Sequence, residues 1–225
     1  MTTNQLPSSQ VPLGQVPAGK KQEAARKRKI AIVGGGPTRV SAPYADPSWE
    51  IWAFSSKKWK YPRVTRWFEL HAMEDLRSQL SKPKKGRRTF SEYMRYLKKL
   101  RCPLYMQRKH PAFPTSVAFP LQDVLNAFGR CFTSTASYMV ALAILEGASV
   151  IGLWGISPTS RSYAYQRPTL EYLLGCAKKR GVKAHLPKKL PLKVTANPKF
   201  VRTPVLYAYD WRSPGAWWVK RAKKG

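Results

Sequence analysis

Lys29-Ile30-Ala31-Ile32-Val33 runs without a break into Gly34-Gly35-Gly36-Pro37-Thr38. A short unbroken apolar run closed by glycines reads as a strand covered on both faces, the arrangement of a parallel sheet flanked by helices. Glycines at the end of such a strand permit positive φ and close approach of a ligand, so the turn predicts backbone N–H groups cradling a phosphate, with the Thr38 hydroxyl as a further donor. A tight structural turn is the alternative for the same residues. The spacing is neither that of the dinucleotide fingerprint G-x-G-x-x-G nor that of a Walker A loop.

Downstream, short apolar runs alternate with helical patterns. Strands are predicted at Trp49 to Phe54, Arg66 to Leu70, Leu104 to Gln107, Val150 to Trp154 and Val182 to Leu186. Helices are predicted after Ser91 as cap, with Tyr93, Met94, Tyr96, Leu97 and Leu100 on the apolar side, and at Leu121 to Phe128, Ala136 to Glu146 and Thr169 to Arg180. The last three stop at Gly129, Gly147 and Gly181. The fold class is therefore α/β, a mostly parallel sheet with helices on both faces. The core domain spans 29–194, between a basic N-terminal tail, 1–28, and a basic, aromatic C-terminal extension, 195–225, both expected to be flexible.

Charge narrows the partners. Against 41 Lys plus Arg stand 11 Asp plus Glu, a formal +30. Such a surface attracts polyanions, of which nucleic acid is the commonest in a cell, and DNA is expected over RNA. A merely solvated cationic surface is the alternative. The densest stretch, Arg77 to Lys109, carries 12 Lys or Arg and one acid, Glu92, for +11. Lys84, Lys85, Arg87, Arg88 and Lys98 are its candidate nucleic-acid contacts. In the C-terminal extension Arg212, Trp217 and Trp218 join them, since bases stack on rings while cations neutralise phosphates. There the alternative is a tail that folds its aromatics, including Tyr207 and Tyr209, back onto the domain.

No segment reaches the roughly 18–20 apolar residues of a membrane span, and 1–19 lacks the apolar run of a signal peptide. Three widely spaced cysteines, Cys102, Cys131 and Cys176, form no zinc pattern and read as core thiols. A cytoplasmic protein is expected, in the host cytoplasm if phage-encoded.

Candidate chemistry collects at three loops. Besides the glycine turn, Thr133-Ser134-Thr135 precedes a helix, where N–H groups and the dipole favour an anion, although ordinary capping explains the same residues. Gly155-Ile156-Ser157 follows the next strand. In a parallel sheet all three lie at the carboxyl edge, where ligands of this architecture bind. His71 ends Phe68-Glu69-Leu70-His71, and strand alternation puts Glu69 and His71 on one side. His71 is a candidate catalytic or substrate-binding residue with Glu69 beside it, a surface or hydrogen-bonded histidine being the alternative. His110 and His185 read as structural. Arg39, Arg161 and Arg167 lie near the predicted edge. No carboxylate or histidine cluster suggests a metal.

Taken together, the strand ending Gly-x-Gly-Pro-Thr, the Thr-Ser turn before an alanine-rich helix ending Glu-Gly, and strand-Gly-Ile-x followed by Tyr163-Ala164-Tyr165 resemble the bacterial CMP-sialic-acid sialyltransferases. The chain is also similar to small phage-encoded proteins with Phe-Glu-Leu-His and Tyr-Ala-Tyr-Gln-Arg-Pro. The likeness covers about Lys29 to Leu192 and is strongest from Phe132 to Pro187. It implies a Rossmann-like domain and metal-independent sugar transfer from a nucleotide donor, the donor being a co-substrate with no cofactor needed. By the same resemblance Gly34, Gly36, Pro37 and Thr38 would meet donor phosphates and nucleotide, and Thr133 and Ser134 the donor. Gly155 and Ile156 would border its base or ribose, and Tyr163 and Tyr165 would face the leaving phosphate. The chain departs from the family at Gly35, where Asn is usual, at Ser157, where Asp is usual, and in lacking a histidine between Tyr165 and Thr169. His71 would supply the missing base from another loop. The reading is a transferase acting on nucleic acid, with a modified base of phage DNA as acceptor; a non-catalytic nucleic-acid-binding protein on the same scaffold is the alternative.

Overall fold

The computed structural model describes residues 27–54, 57–157, 164–188, 190 and 192–210. Seven strands form one sheet: β1 (Lys29–Val33), β2 (Trp49–Phe54), β3 (Arg66–Phe68), β4 (Leu104–Met106), β5 (Ser116–Ala118), β6 (Val150–Trp154) and β7 (Lys183–His185). Their order is β5-β4-β3-β2-β1-β6-β7, and every pair is parallel. The chain winds outward from β1 to β5, then crosses back to lay β6 on the other side of β1. The winding reverses between β1 and β6, the switch point at whose carboxyl edge ligands of such sheets bind.

Side-chain alternation distributes the helices. Ile30, Ile32, Trp52 and Phe68 face the layer of α3 (Leu121–Phe128), α4 (Thr135–Leu145) and α5 (Arg167–Lys179). Ala53 and Trp67 face α1 (Met73–Gln79) and α2 (Phe90–Lys98), and Ala31, Val33 and Ile51 complete that second face. The sheet is thus covered by helices on both faces, as expected. Helix α4 is buried from Thr135 through Ile144, which explains why its apolar residues run all round the helix.

The structure corrects several local readings. Thr89, in place of Ser91, caps α2: its Oγ1 accepts the Glu92 N–H at 3.3 Å while the Glu92 carboxylate accepts the Thr89 N–H at 2.8 Å. Strand β5, helix α1 and a short 3-10 turn at Pro37–Ser41 are additions. Arg28, assigned to the tail, is anchored beneath the sheet, with Glu50 on one side and Glu146 Oε2 at 2.7 Å on the other. The segment after 194 folds back: Val205, Leu206 and Ala208 are buried in the α3–α5 layer, and Tyr207 and Tyr209 pack against it. Residues 1–26, Arg161, Tyr163, Arg212, Trp217 and Trp218 lie outside the described residues. Of the expected core thiols, Cys131 is buried, and burial pushes its thiol up to about 12.

Candidate functional site

The glycine turns interlock. The Gly34 N–H donates to the Trp154 carbonyl at 2.8 Å and the Gly36 N–H to the Gly155 carbonyl at 2.7 Å. The Gly155 N–H returns a bond to Thr38 Oγ1 at 2.8 Å. A Cβ on Gly34 would sit 2.5 Å from the Gly155 carbonyl oxygen, and one on Gly155 would sit 2.3 Å from the Gly34 oxygen. Of these glycines only Gly155 has positive φ, +63°. The β1 glycines therefore permit two backbones to touch, which corrects the expectation that they adopt positive φ and turn their N–H groups to a phosphate. Gly34, Pro37 and Thr38 hold the switch point together and leave Gly35 and Gly36 on the cavity wall. Replacing Gly34 with Ala should overpack this contact and cost about 1–3 kcal/mol in denaturant unfolding.

A cavity of about 530 Å³ opens over this junction. Gly35, Gly36, Gly155, Ile156 and Ser157 form its floor at the sheet edge, Ser134, Thr135 and Ala136 one wall, and Lys57, His71, Gln166 and Tyr207 further walls. Ser134 forms a capping box with Ser137, its side chain accepting the Ser137 N–H at 3.2 Å. The first turn of α4 thus points into the cavity, and the dipole of an 11-residue helix favours an anion there. Thr133 lies behind this wall, bonded to the Thr169 hydroxyl at 3.2 Å, and does not line the cavity. Tyr165 is half-buried beside it and accepts from Gln166, the residue of that turn which does line it.

β3 ends at Phe68, short of the predicted Leu70, so Glu69 and His71 follow the strand and no strand alternation pairs them; the predicted pair nevertheless meets, Glu69 Oε1 lying 2.5 Å from His71 Nδ1. Glu69 is fully buried and His71 is 7% exposed. The other carboxylate oxygen accepts the Tyr93 hydroxyl at 2.5 Å and Lys57 Nζ at 3.2 Å. Burial alone would push the Glu69 carboxyl up, but the Lys57 ammonium, His71 and the Tyr93 hydroxyl outweigh it and hold the carboxyl well below the usual range. The same burial lowers Lys57 and, with the Glu69 charge, raises Tyr93 well above its ordinary value. With Nδ1–H directed at a carboxylate, His71 Nε2 is left as the acceptor, the tautomer a base requires. Nε2 lies 2.8 Å from the Tyr207 hydroxyl.

Lys57, Tyr93 and Tyr207 carry no sequence signal of this role. Lys57 is one cation in a basic chain, Tyr93 sits on an apolar helix face, and Tyr207 lies 136 positions from His71. The predicted basic residues divide. Arg87 and Arg88 line a shallow groove with Lys58 and Lys60, Lys84 and Lys85 are exposed on the same loop, and Lys98 is exposed at the end of α2. Arg88 also stacks over Tyr96 at 4.2 Å. Trp59 stands between groove and cavity, close to Gly35, with the Arg39 guanidinium 3.6 Å from its ring. The other histidines are structural, His185 stacking on Trp154 at 5.0 Å and His110 Nδ1 accepting the Ala112 N–H at 3.1 Å. Among the described residues no group of His, Cys, Asp and Glu could hold a metal, and no helix is long and apolar enough to cross a membrane.

No protein-family model and no curated protein matches the chain. Among solved structures it is similar to sialyltransferase CST-II with a trisaccharide acceptor and CMP, at 16% identity and TM-score 0.48, covering 77% of this chain and 89% of that one. A complex of CstII from Campylobacter jejuni with cytidine-5'-monophosphate gives 14% identity and TM-score 0.47, over 80% and 88% of the two chains. An apo alpha-2,3-sialyltransferase from the same organism gives 13% and 0.44, over 89% and 95%.

Proposed function

We propose that the protein is a metal-independent transferase of the glycosyltransferase kind, moving a sugar from a nucleotide-activated donor to nucleic acid, with a modified base of phage DNA as acceptor. One observation carries the reading: a cavity at the switch point of a parallel sheet joins a helix N-terminus to a histidine oriented by a buried carboxylate. The donor phosphates belong at the first turn of α4, where the helix dipole offsets their charge without a metal. The nucleotide lies across Gly35, Gly36 and Gly155 to Ser157, where the glycines leave room for close approach. His71 takes the proton of an acceptor hydroxyl as it attacks the anomeric carbon, and Glu69 stabilises the imidazolium that forms. Tyr163 and Tyr165 assist the departing phosphate.

The basic groove beside Trp59 supports a polyanionic acceptor. Lys84, Lys85, Arg87, Arg88 and Lys98 would track the phosphates, with Arg212, Trp217 and Trp218 as further nucleic-acid contacts. A target base in a duplex would be flipped into the cavity at a cost on the order of a few kcal/mol.

The test is incubation of the full chain with a panel of nucleotide sugars and DNA containing hydroxymethylated bases, followed by mass analysis of the nucleosides. Donor-dependent mass gain is expected. DNA binding with neither donor binding nor modified nucleosides would instead establish a binding protein on this scaffold. Joint replacement of Lys84, Lys85 and Arg87 by Gln should weaken duplex binding and reduce the slope of log K against log salt by up to about 2.7, or about 0.9 per lost phosphate contact. Donor binding should stay unchanged.

A further inference from the structure

The Tyr207 hydroxyl lies 2.8 Å from the reactive nitrogen of His71, and several contacts hold it there. Residues 203–210 form a strap packed on the helix layer, from which Tyr207 reaches the cavity. The Tyr207 N–H donates to the Phe132 carbonyl at 3.0 Å and its carbonyl accepts the Tyr138 hydroxyl at 3.0 Å. Asp210 accepts the Leu206 N–H and Arg130, each at 2.9 Å. Next to Tyr207, Ala208 has φ +67°, the sole positive φ of a non-glycine among the described residues. Gln107 stabilises it: one amide nitrogen donates to the Ala208 carbonyl at 2.7 Å and to the Leu70 carbonyl at 2.9 Å. That single side chain ties the backbone before His71 to the backbone after Tyr207. Unfavourable backbone retained by such cross-ties is characteristic of positions that function has fixed.

The geometry points to Tyr207 as a catalytic residue that relays the acceptor proton to His71. The inference rests on the transfer reading above and deepens it. Glu69 holds Nδ1–H, so the Nε2 lone pair accepts the Tyr207 O–H at 2.8 Å, and the two rings meet edge to face at 5.5 Å. An acceptor hydroxyl bound in the cavity that Tyr207 helps to line would reach the base without displacing the strap by donating to the Tyr207 oxygen. As the acceptor oxygen bonds the anomeric carbon, its proton passes to Tyr207 Oη and the original phenolic proton passes to His71 Nε2. The bond from the anomeric carbon to the phosphate oxygen breaks, and its electron pair leaves with the nucleotide. Tyr207 ends as it began, and His71 ends as an imidazolium against Glu69. An oriented base hydrogen-bonded to a hydroxyl is the arrangement shared by activated side-chain hydroxyls generally.

The test is single-turnover transfer by the full chain and by Tyr207→Phe, in mixtures of H₂O and D₂O. The Phe variant keeps the ring and removes the hydroxyl; its thermal unfolding and donor titration confirm that fold and donor site persist. The relay predicts a loss of about 10²-fold in the transfer rate with little change in donor affinity. It also predicts a bowed dependence of rate on deuterium fraction for the wild type, from two protons in flight, and a straight line for the variant. A variant with the wild-type rate, or one that is slow but keeps the bowed curve, overturns the relay and leaves transfer standing. Absence of transfer by the wild type with every donor overturns the transfer reading and the relay together.

Discussion

His71→Ala should reduce the rate of sugar transfer by about 10²–10⁴-fold while leaving donor affinity nearly unchanged, the span expected when a positioned general base is removed. The expectation follows from where the imidazole sits. It lines the cavity from a different element than the helix terminus assigned to the donor phosphates, so its loss is expected to take away a proton acceptor and no phosphate contact. Its orientation is set from behind by a carboxylate at 2.5 Å, so the variant also leaves Glu69 without one of its partners. Single-turnover kinetics alongside calorimetric donor titration separates the two effects. An unchanged rate would remove His71 from the chemistry, and a matching loss of donor affinity would make it a binding residue.

Glu69→Ala should cost about 3–5 kcal/mol of stability, because it strands the largely buried Lys57 ammonium without its counter-charge. For a chain of this size that corresponds to a fall in Tm of roughly 6–20 °C. Removing both charges should be milder: Glu69→Ala combined with Lys57→Met should recover much of the loss, the signature of a coupled pair. The pH dependence has a definite sign. The folded Glu69 carboxyl is depressed relative to the unfolded chain, so its contribution is complete above the ordinary carboxylate pKa of about 4.3 and is lost as pH falls toward the depressed folded value. Stability should therefore decline through the acid range in the wild type, and Glu69→Gln should flatten that part of the curve. Denaturant unfolding at a series of acid pH values measures both; an unaltered acid limb would mean that Glu69 titrates alike in folded and unfolded chains.

What the amino-acid order discloses here depends on how local the governing interaction is. Strands β1 and β6 are continuous apolar runs closed by glycine, and α4 and α5 stop at Gly147 and Gly181, so their identities are written into neighbouring residues. Strand β5 has three residues, two of them exposed, and α1 has seven with two buried and no capping side chain; both exist because the sheet edge and the second core recruit them. The glycine turn illustrates a subtler failure. Gly34 and Gly36 are needed for contact with Gly155, 119 or more positions away along the chain, a tertiary reason that the neighbouring residues do not show. Glu69 and His71 could be paired because they lie two positions apart in the chain, although the strand that suggested it ends at Phe68. Lys57, Tyr93 and Tyr207 could not, since each reaches the pair through tertiary packing alone.

The central claim is that a nucleotide sugar binds where the β1 and β6 turns meet the first turn of α4. Hydrogen exchange of the full chain, followed with and without a panel of nucleotide sugars, tests it directly. Slowed exchange confined to residues 34–36, 134–136 and 155–157 in the presence of a donor is the predicted result. Protection elsewhere, for example at 27–29 and 47–50 beneath the sheet, or no protection by any donor, would contradict it.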